Sequence, residues 1–131
     1  MRSDVQVMCG IAGLFFPNSL TPPSAPELQS RLTAMAEAMA HRGPDGDGLW
    51  TSDDARIGFA HRRLAIIDLS DKARQPMTNA DGTVHVTYNG EIYNHLTLRQ
   101  ELQAQGYQFR TDHSDTEVLV HGYSAWGLEG L

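Results

Sequence analysis

Cys9 is the one cysteine of this 131-residue chain, and it stands inside the run VMCGIAGLFF with a glycine directly behind it. A single thiol cannot close an internal disulfide, so it is either a buried filler or a reactive group, and a reducing compartment suits both. As a nucleophile it needs a base. The six histidines supply candidates by number alone. None falls in HExxH or CxxC-type spacing, and the pattern gives no support to a metal site. Another base exists if Met8 is the start of the working protein. Its removal leaves Cys9 with a free α-amino group titrating at about 7.7–8.0, beside a thiol at about 8.5. The nucleophile then carries its own base, with a water able to relay the proton from sulfur to nitrogen. While Met8 remains attached, that nitrogen is an amide and has no useful basicity. A start at Met8 or cleavage of a propeptide gives an active protein, and an unprocessed chain is inert. Gly10 is expected to let a substrate lie close to the backbone beside the sulfur.

The rest of the composition narrows the partners. The formal charge is −6, from 16 acidic and 10 basic residues, and the basic residues do not cluster beyond the pair Arg62 and Arg63. That excludes a nucleic-acid footprint and a membrane-surface patch. With 40% hydrophobic and 20% charged residues and no repeat, the chain reads as an ordinary globular domain long enough for one core. No stretch approaches the ~20 apolar residues of a membrane span. The run at 7–16 lacks the flanks of a signal peptide, since Asp4 offsets Arg2 and no cleavage-like site follows. A cytoplasmic protein is expected.

The elements that must position Cys9 follow from periodicity and punctuation. Residues 7–16 read as a strand buried on both faces. After the proline-rich PNSLTPPSAP, Ser24 and Glu27 have capping-box spacing, and Leu28, Leu32, Met35 and Met39 recur at helical intervals, predicting a helix of about four turns with the methionines filling its inner face. HRGPDGDG at 41–48 ends that helix as a shaped loop. Strands are predicted at 57–61, 64–69 and 84–88, with NADG as a turn before the last. A helix over 95–105 places Leu98 and Leu102 on one face and closes at Gly106. A short strand follows at 107–111. Ser114 and Glu117 repeat the capping-box spacing and open a last helix through about Ala125. Strands and helices without strict alternation point to α+β with mainly antiparallel pairing. No strand follows that last helix to cover a sheet edge, so the fold is expected to be cut short at its C-terminus.

Six blocks, MCGIAGLF, HRGPDGDG, HRRLAIIDLS, QPM, YNGEIYN and SDTEVLVHGY, stand in the order and spacing of the glutamine amidotransferase domain of glutamine-hydrolysing asparagine synthetases. The resemblance covers residues 8–131, leaving 1–7 as an N-terminal extension. It implies an N-terminal nucleophile hydrolase-like αββα sandwich, here partial, that hydrolyses L-glutamine to glutamate and ammonia. Amidotransferases serving other acceptors share the cysteine and the arginine-glycine loop, and a truncated inert fragment is a further alternative. In the family the ammonia passes to a C-terminal synthetase domain that uses ATP and Mg to convert aspartate to asparagine. Its pyrophosphate loop carries adjacent glycines. This sequence has no Gly-Gly pair, so neither cofactor is assigned to it and no metal is expected. A homodimer is left open.

The resemblance also distributes roles. Cys9 attacks the side-chain amide, and Asn89 and Gly90 donate to the oxyanion. Arg63 binds the glutamine α-carboxylate, with Leu64, Ala65, Ile66 and Ile67 shaping the wall. Asp115 takes the α-ammonium, alongside groups from Gly90 and Glu91. The loop from Arg42 to Asp45 covers the nucleophile. Read without the resemblance, Arg63 is equally a solvated charge beside Arg62, and Asp115 a first-turn carboxylate favoured by the helix dipole. Asn89-Gly90 is then a tight turn.

Overall fold

The computed structural model describes residues 8–64 and 71–131, and the chain divides into two compact units, Met1–Leu64 and Ala65–Leu131. The first unit is a three-stranded sheet with one helix. Its elements are β1 (Gly10–Phe15), α1 (Ala25–Ala38), β2 (Gly46–Thr51) and β3 (Ile57–Arg63), in sheet order β1-β3-β2. Both pairings are antiparallel, with Gly10 opposite Arg62 and Gly46 opposite Arg63.

The start of α1 follows the capping prediction, with the Ser24 hydroxyl accepting the Glu27 N–H at 3.4 Å. Leu28, Leu32 and Ala36 form its buried stripe and meet Ala60 and Ala55 in one core, with Ala12, Leu14 and Leu49 packed around them. Met35 and Met39 also pack there, as methionines fill irregular gaps. The proline-rich connection is tied down by one side chain. Arg56 Nη1 donates to the carbonyls of Phe16, Pro17 and Leu20 at 3.3, 3.0 and 3.1 Å.

Two expectations for this unit need correction. The first strand is not buried on both faces: Ile11 is 45% and Phe15 69% exposed. The alternate positions Ala12, Leu14 and Phe16 pack in the core with α1, as the period of two in a strand dictates. Nor is 41–48 wholly loop, because Gly46 and Gly48 already pair with Arg63 and His61 in β2. Tertiary pairing overrides the low strand propensity of glycine, helped by the facing pair Trp50 and Phe59, whose ring centroids lie 5.6 Å apart.

The second unit holds β4 (Met77–Thr78), β5 (His85–Val86), α2 (His95–Ala104) and α3 (Thr116–Trp126). β4 and β5 form an antiparallel hairpin, so the strand expected over 84–88 is shorter and its partner was not foreseen. The NADG turn is present: Asn79 Oδ1 accepts the N–H groups of Thr83 and Val84 at 2.9 and 3.0 Å. Helix α2 buries Leu102 and Arg99 and is followed by Gly106 at φ +95°, the left-handed conformation that ends helices. The strand predicted at 64–69 lies, beyond Leu64, outside the described residues.

No strand forms at 107–111, and the reason is specific. The N–H groups of Arg110 and Thr111 are taken by the Glu117 carboxylate at 2.7 and 2.8 Å, leaving neither for a sheet. The same contacts explain why the Ser114/Glu117 capping box is absent. Glu117 reaches past the helix start to 110 and 111, and Asp115 occupies the cap position without a side-chain cap bond. The class is α+β with antiparallel pairing among the described residues, as the sequence predicts.

Candidate functional site

In the first unit, Cys9 directly precedes β1, and pairing of β1 with β3 brings it to the end of β3. Its sulfur accepts the Leu64 N–H at 3.2 Å and donates to the Leu64 carbonyl at 3.6 Å. One backbone amide therefore fixes where the sulfur sits. Cys9 is half-buried, so the thiol is neither a core filler nor fully solvated.

The loop after α1 closes on this point. Arg42 Nε donates to the Cys9 carbonyl at 3.3 Å, and Arg62 Nε donates to the Gly43 carbonyl at 3.0 Å. The Asp45 N–H donates to the Arg63 carbonyl at 3.0 Å. Gly43 lies so close to β3 that a Cβ there would sit 2.3 Å from the carbonyl carbon of Arg62. Only a residue without a side chain permits that approach. Gly10 has a packing reason of its own. The space its side chain would fill is occupied by Met39, whose Cβ and Sδ lie 3.0 Å from an ideal Cβ. The glycine behind the thiol thus admits the end of α1.

In the second unit, Asn89 is half-buried and Gly90 and Glu91 are exposed. The segment is anchored on both flanks. Before it, the Tyr88 N–H donates to Gln75 Oε1 at 2.5 Å, and Gln75 Nε2 reaches Thr116 Oγ1 at 3.2 Å. After it, the Ile92 N–H donates to Asp115 Oδ2 at 2.9 Å. Asp115 is 6% exposed, and its other oxygen receives the Thr116 hydroxyl at a long 3.5 Å. A carboxylate this buried is costly unless a cation or further donors meet it. The Tyr88 phenol reports the local field: burial first, then the charges of Asp115 and Glu91, push its pKa up. It stays a neutral O–H near pH 7 in a negative environment suited to an ammonium.

Of the residues proposed from sequence, Cys9, Arg63 and Leu64 therefore gather at one end of the first sheet. In the second unit, Asn89, Gly90 and Glu91 run into Ile92, whose N–H is held by Asp115. Ala65, Ile66 and Ile67 lie outside the described residues. Sequence reasoning gave no role to Gln75, although it sits in the QPM block, or to Arg99, whose signal was a charge three residues before buried Leu102. Among the described residues, no three His, Cys, Asp or Glu side chains are grouped to hold a metal ion. Nor is any helix there long and apolar enough to cross a membrane.

Residues 8–131 match the family described as a glutamine amidotransferase domain. The chain is 44% identical over 116 residues to asparagine synthetase (glutamine-hydrolyzing) 1 of Bacillus subtilis (strain 168), covering 88% of this chain and 17% of that protein. It is 41% identical over 120 residues to the probable asparagine synthetase (glutamine-hydrolyzing) of Dictyostelium discoideum, covering 92% and 20%. Asparagine synthetase (glutamine-hydrolyzing) 2 of Arabidopsis thaliana is 48% identical over 101 residues, covering 77% and 16%. The chain spans a fifth or less of the length of these relatives.

Proposed function

This chain belongs to the glutamine amidotransferase domain family, and we propose that it is the glutaminase part of an asparagine synthetase-like enzyme, built as an N-terminal nucleophile hydrolase. The observation that carries this reading is the placement of Cys9: a half-buried sulfur held by the Leu64 amide under a loop whose Arg42 grips the Cys9 carbonyl. Removal of residues 1–7 and of Met8 exposes the Cys9 α-amine. The amine takes the thiol proton through a water, and the sulfur attacks the side-chain amide carbon of glutamine. Asn89 and the Gly90 N–H donate to the oxyanion, each such donor contributing ~3 kcal/mol of transition-state stabilisation. The tetrahedral intermediate collapses as the amine returns its proton to the departing ammonia, leaving a γ-glutamyl thioester. Water then attacks the thioester carbon, releasing glutamate and restoring the thiol.

Selectivity for an α-amino acid follows from one cation and one anion. Arg63 binds the α-carboxylate with Leu64, Ala65, Ile66 and Ile67 along the wall, and Asp115 binds the ammonium with Gly90 and Glu91. The ammonia serves a C-terminal synthetase domain that converts aspartate to asparagine in the cytoplasm. ATP and Mg act in that domain and are assigned to no residue of this chain.

The test is glutamate release from glutamine by protein whose intact mass shows that it begins at Cys9, compared with the Cys9→Ala variant. Release by the first and none by the second is expected. Equal release by both overturns the assignment of the nucleophile. Full turnover by protein that still begins at Met1 overturns the role of the amine.

A further inference from the structure

Glu117 is 3% exposed and has no place in the reaction derived above, yet its carboxylate is the most heavily bonded group in the second unit's described hydrogen bonds. Oε1 accepts the Arg110 N–H at 2.7 Å and faces His121 Nε2 at 3.4 Å. Oε2 accepts the Thr111 N–H at 2.8 Å and the Thr111 hydroxyl at 2.5 Å. A second buried charge completes the ring. Arg99 Nη1 donates to the Thr111 carbonyl at 2.7 Å, and Nη2 donates to the Ser114 carbonyl at 3.2 Å. The Arg99 guanidinium also stacks over the Phe109 ring at 4.2 Å. Residues 110–117 are thus closed into a loop by two ions that never meet each other directly. Asp115 sits inside that loop, between Ser114 and Thr116.

We propose that Glu117 is a positioning residue for the substrate ammonium: by holding 110–111 against the first turn of α3, it fixes the direction in which Asp115 presents Oδ1. The inference rests on the reading of Asp115 given above. Asp115 Oδ2 is committed to Ile92 at 2.9 Å, whereas Oδ1 meets the Thr116 hydroxyl only at a long 3.5 Å, so Oδ1 is the oxygen better placed to take a cation, and its aim depends on the backbone of 114–116. That backbone is set from one side by Arg99 and from the other by Glu117. A glutamine at 117 keeps the shape but turns one acceptor into an NH₂ donor that faces N–H and O–H donors. The first turn of α3 must then shift.

The readout separates positioning from mere stability. Glu117→Gln is assayed with glutamine as substrate and with 4-carbamoylbutanoate, which keeps the amide and carboxylate but lacks the α-ammonium, as competitive inhibitor. The expected result is a rise of about tenfold in the KM for glutamine, as for loss of one charge-assisted contact, with the inhibitor's Ki unchanged. If KM and Ki rise together, or neither moves, the proposal is overturned. Should Glu117→Gln fail to fold, Thr111→Val, which removes only the hydroxyl donor to Oε2, decides by the same selective rise in smaller measure. Asp115→Asn is measured in parallel. If it leaves the KM for glutamine unchanged, the assignment of the ammonium site itself falls and this inference with it. If Asp115→Asn discriminates between the two ligands and Glu117→Gln does not, only the positioning role is lost.

Discussion

Asp115 Oδ2 accepts the backbone N–H of Ile92 at 2.9 Å, which joins the start of α3 to the segment 89–91 that carries the proposed oxyanion donors. On the proposed reading, a carboxylate that holds this backbone amide on one oxygen and meets the substrate ammonium with the other couples ammonium binding to the segment beside the reacting amide. Asp115→Ala leaves a half-buried N–H without its acceptor, at a cost of about 1–3 kcal/mol. The expected outcome is faster hydrogen exchange at Ile92, by roughly ten- to a hundredfold, with exchange of the Leu28 and Leu32 amides in α1 unchanged. Unaltered exchange at Ile92 would show that the bond does not hold in solution.

Gln75 ties the other flank. Its carbonyl accepts the Tyr88 N–H at 2.5 Å and its amide reaches the Thr116 hydroxyl at 3.2 Å, so one side chain spans both parts of the proposed glutamine site in the second unit. Gln75→Leu retains the volume and removes both bonds. Stability should fall by about 1–3 kcal/mol, and kcat for glutamine should fall with it because the residues after Tyr88 are the proposed oxyanion donors. Urea unfolding together with steady-state kinetics checks this. A variant as active and as stable as the parent removes Gln75 from the argument.

Gly43 offers a test in the first unit. An added methyl group meets the Arg62 carbonyl carbon at 2.3 Å and the Arg63 nitrogen at 2.5 Å, and both are backbone atoms of a paired strand that cannot step aside. Gly43→Ala must therefore lift the loop off β3 and with it the Arg42 contact to the Cys9 carbonyl. Overpacking of this kind costs about 1–3 kcal/mol, read as a lower midpoint in thermal unfolding. A neutral effect on the midpoint would mean that the loop does not rest on β3.

What the sequence made legible divides along a physical line. Helices α1 and α2 were readable because Ser24, the stripe Leu28 and Leu32, and Gly106 are local signals that the fold obeys. The hairpin strand β4 was not, since two residues have no periodicity and depend on the pairing of Met77 with Val86 and of Thr78 with His85. Glu117 was noticed for the wrong reason. Its spacing from Ser114 suggested a capping box, but a carboxylate can serve any donors within reach, and here the nearest are the N–H groups of Arg110 and Thr111. That choice erased the predicted strand at 107–111. The glycine behind Cys9 was likewise visible, while the neighbour that requires it, Met39, lies 29 positions along the chain from Gly10 and is brought there only by packing. Arg99 shows the same limit, as nothing local tells a buried guanidinium from a solvated one.

The pH response of the second unit follows from Glu117. Burial pushes its carboxyl pKa up, but the Thr111 hydroxyl, the N–H groups of Arg110 and Thr111, and His121 together outweigh that and hold it below the ordinary glutamate value. The folded form therefore binds its proton less readily than the unfolded chain, in which a glutamate titrates at about 4.3. A depressed carboxylate stabilises the fold fully above that value, and the stabilisation is lost as pH falls through the lower folded value. The His121 ring and the Arg110 backbone N–H, which face the same carboxylate, both favour its charged form. Urea midpoints measured between pH 7 and pH 3 should drop for the parent protein, and the drop should be smaller in Glu117→Gln, which has no proton to gain at that position. Parallel curves for the two proteins would mean that the carboxylate is not held as the hydrogen bonds imply.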